Sequence, residues 1–416
     1  MRRLTEQDRA DLVDLDTIAF VGDPDAMSVE EASEHIDLSR SYGAEHPDTP
    51  GRLAGLYSSF ELHVRVPGNA ADGTRLVPVN GLTWVGVDPD MRRRGVLSAM
   101  MRHYLQDARD RGDAIVALHA SEAGIYGRYG FSVASLDVGY TLGRGTTFTA
   151  PASVVEAADA TRTAFVRRTD ADEFAARCQD LDRRSPALGT VVVPDALARH
   201  YLRDRPASRR GKEPRRAIVA SRDGQDVGVA VFRRTADWER SGPNGSVNVH
   251  HLAAVDAGAM LALGRRLVDM DLMGKTVFSG RGLDDPLLAW TPARSASIEI
   301  GDALWLRPVD VAGMLTARGY AAPARVTLGI TDTTLEHNTG TWLLDIDDEG
   351  VAECTRTDTV PDVECDVDVL GELYLGLRGP AALAATGRLG ERTPGTIRAL
   401  AAALATGTGP IGGTSF

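Results

Sequence analysis

Leu82-Thr83-Trp84-Val85-Gly86-Val87-Asp88-Pro89-Asp90-Met91-Arg92-Arg93-Arg94-Gly95-Val96-Leu97 decides how this chain folds, because it passes from strand to basic turn to helix in sixteen residues. Gly81 to Val87 is an apolar run of strand length. Asp88-Pro89-Asp90 ends it, since proline cannot continue a ladder and aspartate favours turns. Beyond the arginines, Val96, Leu97, Met100, Met101, Tyr104, Leu105 and Ala108 fall on one helical face. The first turn of such a helix points unpaired N–H groups and its positive dipole end at the Arg93 to Gly95 turn, where glycine lets a guest approach the backbone closely. An anionic phosphate is the natural guest, although the same spacing alone also describes a solvated basic turn.

The residues after the helix narrow the choice. A β-rich run, Ala114-Ile115-Val116-Ala117-Leu118-His119, leads into Ser121-Glu122-Ala123-Gly124-Ile125-Tyr126-Gly127-Arg128-Tyr129-Gly130-Phe131. Strand, phosphate turn, helix, strand, then Tyr with Tyr-Gly-Phe behind it resembles the GNAT acetyltransferase superfamily. Within it, the words R-R-R-G-V-L and H-A-S-E-A-G-I-Y-G-R-Y-G-F resemble the Eis (enhanced intracellular survival) N-acetyltransferases, as do the length and the terminal Phe416. The chain departs from the superfamily's phosphate motif at Leu97, where Gly or Ala is usual.

The resemblance implies an α/β (α+β) fold: tandem GNAT-type mixed sheets plus a C-terminal sterol-carrier-protein-like α+β domain. The divisions expected are 1–150 for a catalytic GNAT domain, 151–297 for a degenerate copy, and 298–416 for the last domain, which delivers the carboxy terminus. It further implies acetyl-CoA as co-substrate, held by the backbone of Val85, Gly86 and Val87 along the pantetheine. Arg93, Arg94, Gly95, Val96, Leu97 and Ser98 are expected around the pyrophosphate, and Ser121 and Glu122 to complete the site. Tyr126 takes the superfamily's place of general acid, a task suited to a phenol of intrinsic pKa about 10. No side-chain carboxylate is marked out as base; in Eis-like enzymes the terminal α-carboxylate serves, here that of Phe416, whose ordinary pKa is about 3.5. Gly407, Gly409, Gly412 and Gly413 make a frayed tail the default, yet they also let it thread a narrow cleft. Asp25 and Trp84 are candidates to meet a cationic acceptor. Ser415 stands at the penultimate position, where the family often has an acid.

Composition is consistent with this. A chain of 416 residues with 43% hydrophobic and 25% charged residues has room for two or three cores, and no apolar run reaches membrane-spanning length. The amino end has no apolar signal core, so a cytoplasmic location is expected. Net charge −12 opposes sequence-independent nucleic-acid binding and suits cationic partners. Three cysteines, Cys178, Cys354 and Cys365, without a C-x-x-C pair encode neither a disulfide framework nor a zinc site. His250 and His251, adjacent on a strand, point to opposite faces and do not share a metal, so none is expected. The basic stretch Arg203 to Arg216, with two prolines and no aromatic residue, reads as a solvated loop.

Elsewhere, Thr5 and Asp8 mark a capped helix start, and the segment 23–48 is acidic and partly helical. The stretch Phe165 to Phe174 weakly repeats the amino-terminal pattern, but Val255-Asp256-Ala257-Gly258-Ala259 puts an acid where a phosphate turn belongs, so that copy is read as structural. The activity expected is acetylation of aminoglycoside amines at several positions, which confers antibiotic resistance. Protein lysines or polyamines are the alternative acceptors; an acyl-CoA sensor or a lipid-binding protein are alternatives of another class. A homo-oligomer, a hexamer by family resemblance, is expected.

Overall fold

Thr5 and Asp8 do open the first helical turn: the Thr5 N–H donates to Asp8 Oδ2 at 2.7 Å, and Arg2 grips the same carboxylate at 2.7 and 2.9 Å. A computed structural model describes residues 1–23, 27–69, 73–167, 171–209 and 212–416. They form two units, one of Met1–Ala134, Leu304–Gly407 and Phe416, the other of Ser135–Ala303 and Thr408–Ser415.

In the first unit the strands are β1 (Arg2–Arg3), β2 (Ser41–Glu45), β3 (Leu53–Pro67), β4 (Thr74–Val87), β5 (Ile115–His119) and β6 (Ser132–Val133). Its helices are α1 (Arg9–Ala19), α2 (Val29–Ser33), α3 (Val96–Asp110) and α4 (Ala123–Tyr126). The apolar stripe expected of α3 is the buried one: Met100, Met101, Tyr104, Leu105 and Ala108 are all at most 1% exposed. They pack with Tyr57, Leu82, Val116, Tyr126 and Phe131 in one core.

The second unit holds β7 (Leu136–Gly143), β8 (Arg162–Val166), β9 (Val191–Val192), β10 (Arg216–Arg222) and β11 (Gln225–Thr235). A small hairpin, β12 (Trp238–Glu239) and β13 (Gly242–Pro243), precedes β14 (Gly245–Ala254), β15 (Met273–Arg281) and β16 (Ala296–Asp302). Helices α5 (Ala152–Asp159), α6 (Ala171–Arg184), α7 (Asp195–Leu202), α8 (Ala257–Val268) and α9 (Pro286–Ala289) accompany a sheet ordered β16-β7-β15-β14-β11-β10-β8. The basic stretch here is ion-paired rather than merely solvated. Asp204 binds Arg209 and Arg233 at 2.7 and 2.8 Å, and Glu213 binds Arg234 at 2.7 Å.

The unit boundaries fall away from the divisions at 150 and 297, because the two sheets draw strands from beyond them. Residues 136–143 lie in the second sheet, paired with β15 and β16. Conversely β17 (Leu304–Pro308) is antiparallel to both β5 and β6 in the first sheet, whose order is β1-β2-β3-β4-β5-β17-β6. A strand inserted from almost two hundred residues away leaves no local pattern; all five of its residues are buried.

The remaining segment carries α10 (Val311–Ala317), β18 (Ala324–Thr331), β19 (Gly340–Ile346), β20 (Ala352–Thr357), β21 (Val363–Asp366), α11 (Asp368–Tyr374), α12 (Pro380–Ala385), β22 (Leu389–Glu391) and α13 (Thr396–Ala403). The sheet runs β20-β19-β18-β21-β22. Arg307 of β17 ties this sheet to the turn behind Tyr126. Its guanidinium, fully buried, donates to both Asp332 oxygens at 2.8 and 2.6 Å and to the Tyr129 carbonyl at 2.9 Å. Removing one partner of a buried pair strands the other charge, so Asp332→Ala is expected to destabilise the fold by about 3–5 kcal/mol. Urea unfolding followed by circular dichroism measures it, and a loss under about 1 kcal/mol contradicts the assignment.

Candidate functional site

The first sheet parts along its parallel pair. β4 and β5 are bonded only at Asn80↔Val116 and Gly81↔Ala117, and from Leu82 onward β4 leaves its neighbour. The apex is pinned from α3, whose Tyr104 hydroxyl donates to the Asn80 carbonyl at 2.9 Å, while Asn80 Nδ2 donates to Asp113 at 2.6 Å. On its other edge β4 is bulged against β3: the register passes from Ser58↔Thr83 to Leu56↔Gly86. Trp84 and Val85 therefore stand opposite Tyr57 alone. Trp84 takes the left-handed conformation, φ 52°, which costs a non-glycine residue of order 1–3 kcal/mol and is retained where the surroundings impose it. Val85, Gly86 and Val87 continue on the divergent arm, with backbone groups free to pair with a ligand lying in the wedge.

At the mouth stands the basic turn. Arg93 has φ 62° and Gly95 φ 83°, and Gly95 occupies the N-cap of α3 with no side chain to satisfy the first N–H groups. Backbone of that shape beside a helix amino terminus can hold an anion such as phosphate. Arg92, Arg93, Arg94 and Gly95 are exposed, and Val96, Leu97 and Ser98 half-buried. Ser98 is committed elsewhere as well: its Oγ lies 2.9 Å from the Tyr129 hydroxyl. Leu97 packs against the core, so its extra bulk over Gly or Ala lies in the helix face.

Tyr126 closes α4 at 5% exposure, its ring edge-on to Phe131 at 6.2 Å. Burial pushes its phenol up to about 12, Glu122 adds to the rise, and hydrogen bonding with Ser121 works against it. It therefore stays an O–H donor throughout the neutral range. Ser121 and Glu122 are themselves exposed just ahead of it.

Phe416 lies on the first sheet. Its ring meets His119 of β5 at 4.9 Å and 77°, and a β-carbon on Gly81 would come within 2.7 Å of its Cε2. The same β-carbon would stand 2.2 Å from Leu62 Cδ1, so glycine at the apex makes the room for Leu62 and the terminal ring together. Trp84 stands 5.8 Å from His35, which in turn is 6.1 Å from Phe60. The sequence marks none of His35, Phe60 and His119 as a site residue; His119 is visible there only inside its motif, and the other two carry no spacing signal. Asp25 lies outside the described residues. Glu30, Glu31 and Glu34 are exposed, and Glu31 closes a capping box with Ser28.

Comparison with known proteins bears on the same regions. A family model described as an acetyltransferase (GNAT) domain matches residues 1–134, another with that description residues 189–307, and a sterol carrier protein domain residues 311–411. N-acetyltransferase Eis of Mycobacterium tuberculosis is 33% identical over 368 residues, 86% of this chain and 84% of that protein. An uncharacterized N-acetyltransferase of Streptomyces avermitilis is 34% identical over 408 residues, 92% of each. The crystal structure of Eis1 from Mycobacterium abscessus superposes with TM-score 0.82 and 29% identity, covering 100% of this chain and 99% of that one.

One further carboxyl is set apart by its surroundings, and no sequence pattern points to it. α1 lays Ala19 and Leu15 over Gly86, at 3.4 and 3.7 Å from where a β-carbon would stand, and Asp16 of the same helix is pushed up to about 6 by burial. A carboxyl whose folded pKa exceeds its unfolded value binds its proton more tightly in the folded state. The stability it contributes is thus complete below its unfolded value of 3.8 and is lost as pH rises through 6. Asp16→Asn is expected to remove that slope, so the parent loses up to about 3 kcal/mol relative to the variant between about pH 4 and pH 7. A constant difference over that range, in urea unfolding, contradicts it.

Proposed function

Because the chain belongs to the Eis family of N-acetyltransferases, GNAT enzymes that draw on acetyl-CoA, we propose that it acetylates amines of aminoglycosides, at several positions, by direct transfer. The observation that carries the mechanism is the terminal Phe416 ring seated on His119 and Gly81, at the apex where β4 and β5 part. Acetyl-CoA lies along Val85, Gly86 and Val87, with its pyrophosphate in the nest of Arg93, Arg94, Gly95, Val96, Leu97 and Ser98, and with Ser121 and Glu122 completing the site. Backbone N–H groups of the bulged arm polarise the thioester carbonyl. The acceptor nitrogen attacks that carbon and gives up its proton, directly or through water, to the Phe416 carboxylate. The C–S bond then breaks and the Tyr126 hydroxyl protonates the departing sulfur. Trp84, with His35 and Phe60 behind it, offers the aromatic wall for a cationic acceptor.

Two features bear on the alternatives. Ser415 in place of an acid leaves one carboxylate fewer for a polycation, which keeps polyamines and protein lysines in the comparison. The interior of the β18–β22 domain holds a cavity of about 20 Å³ among Leu328, Leu344, Leu370 and Leu400, room for about one water molecule rather than for an acyl chain. A packed interior supports the enzyme over a lipid carrier. Assembly as a hexamer and a cytoplasmic location belong to the same proposal; among the described residues no helix is long and apolar enough to cross a membrane.

Thiol release from acetyl-CoA with aminoglycosides, polyamines and lysine peptides tests the acceptor class, and no release with any amine rejects the enzyme. Tyr126→Phe is expected to cut turnover by roughly 100-fold or more while acetyl-CoA still binds; lost binding makes Tyr126 a packing residue instead. Since its pKa lies at about 12, kcat is expected to show no alkaline fall from this group below about pH 10. A chain extended a few residues past Phe416 is expected to lose turnover, and unchanged activity removes the terminal carboxylate from the mechanism.

A further inference from the structure

Three neighbouring strands of the second sheet, β10, β11 and β14, bring positive charge to one place. β10 opens with Arg216 opposite Phe232 of β11, so Arg215 stands one step beyond that rung, beside Arg233. On the other edge of β11 the register passes from Val231↔His251 to Phe232↔Val249. His250 is thus the extra residue of a bulge, a device that re-aims a side chain. Arg205 and Lys212, from the segment that leads into β10, add their charges to the same group.

Little carboxylate is left to neutralise them. Asp204 is taken by Arg209 and Arg233 at 2.7 and 2.8 Å, and Glu213 by Arg234 and Arg216 at 2.7 and 3.4 Å. Arg215 reaches Asp204 through its backbone N–H alone, at 3.2 Å. Among the described residues the Arg215 guanidinium has no hydrogen bond or ion pair, its Nε is shut off from solvent, and Lys212 forms no ion pair either. The neighbours register the excess. Burial and the Arg233 charge pull Arg215 down to about 10, with Arg205 adding to the fall and Asp204 acting against it. Loss of water around its ring, then the charges of Arg215, Arg233 and Lys212, push His250 down to about 4. A solvated basic loop does not account for a guanidinium drawn out of water among like charges, an arrangement that an opposite charge relieves. The place is also reachable, since His250 is exposed and Lys212 and Arg215 are half-buried.

We propose that Arg215, Lys212 and His250 form a binding site for a phosphate dianion, free or as a monoester. The planar fork of Arg215 suits two phosphate oxygens, Lys212 supplies a point charge, and the imidazole donates an N–H. Two charges on the ligand match the two cationic side chains left without a carboxylate. A nucleic acid fits less well, because the chain carries a net charge of −12 and the segment 203–216 has no aromatic residue on which a base could stack. The inference concerns the second unit alone and does not rest on the function proposed above.

Equilibrium dialysis of the intact protein against radiolabelled inorganic phosphate, near neutral pH and at fixed ionic strength, tests it. Because the basic turn at Arg93 can also take up an anion, Arg93→Ala and Arg215→Ala are compared. One saturable phosphate per chain is expected, kept in Arg93→Ala and weakened at least about tenfold in Arg215→Ala. Arg215→Ala breaks no hydrogen bond or ion pair of its side chain, so its unfolding midpoint without phosphate is expected to match the parent's. No saturable binding overturns the proposal, as does binding that Arg93→Ala abolishes and Arg215→Ala leaves alone. Phosphate that chloride replaces equally well at the same ionic strength is screening, and overturns it too. Competition in Arg93→Ala separates the two sources: adenosine monophosphate displacing phosphate at a lower concentration than phosphate itself assigns the site to a monoester, and a higher concentration assigns it to the free anion.

Discussion

The parallel pairing of β4 with β5 stops after Asn80↔Val116 and Gly81↔Ala117, and the site depends on its stopping there. Continued pairing would satisfy the backbone of Leu82 to Val87 internally and leave nothing to offer a ligand. The parting is built from both sides. Tyr104 and Asp113 fasten Asn80 at the apex, and the bulge at Trp84 turns the arm outward at a conformational cost that the surrounding core sustains. Gly81 then leaves room at the apex for an aromatic ring. Strain in the strand, a locked apex and a missing side chain act together on one short stretch of chain.

The parts of this site legible in sequence are those in which function and local structure share a pattern. A proline stop, arginines, a glycine and a helix of period 3.6 state the basic turn directly, and the structure puts Arg93 and Gly95 in left-handed conformations there. Tyr126 is legible through its motif. The rest is set by long-range register. β17 enters the first sheet because Leu304 to Pro308 match Ile115 to His119 residue for residue, a fact about complementarity that neither segment carries alone. His35 comes to Trp84, and His119 to Phe416, by the same kind of meeting. The raised carboxyl of half-buried Asp16 has a similar origin, since an aspartate in an otherwise ordinary amphipathic helix does not announce the surroundings the fold gives it.

The two sheets differ at the helix amino terminus that stands by each parting. Each has a parallel pair that parts and a helix amino terminus nearby. In the first, that terminus is a glycine in the left-handed region preceded by three arginines; in the second it is Asp256, already bonded to its own helix and to Arg222. A carboxylate at the second terminus disfavours an anion there, because a phosphate brought to it meets like charge in place of open N–H donors.

A terminal carboxylate is a weak base for an ammonium ion, so on the proposed mechanism the work moves to the acceptor's surroundings. A group with pKa about 3.5 takes a proton from an amine of pKa near 10 only when the site disfavours the ammonium. An aromatic wall of Trp84, His35 and Phe60 removes water, yet it also attracts cations through its ring faces. The two tendencies act at different moments: attraction brings the ammonium in, and desolvation then makes its proton easier to lose. A carboxylate carried on the chain end, without a side chain's rotamers to order, can be aimed through the backbone alone. Fixing that backbone therefore matters more for this base than its basicity does.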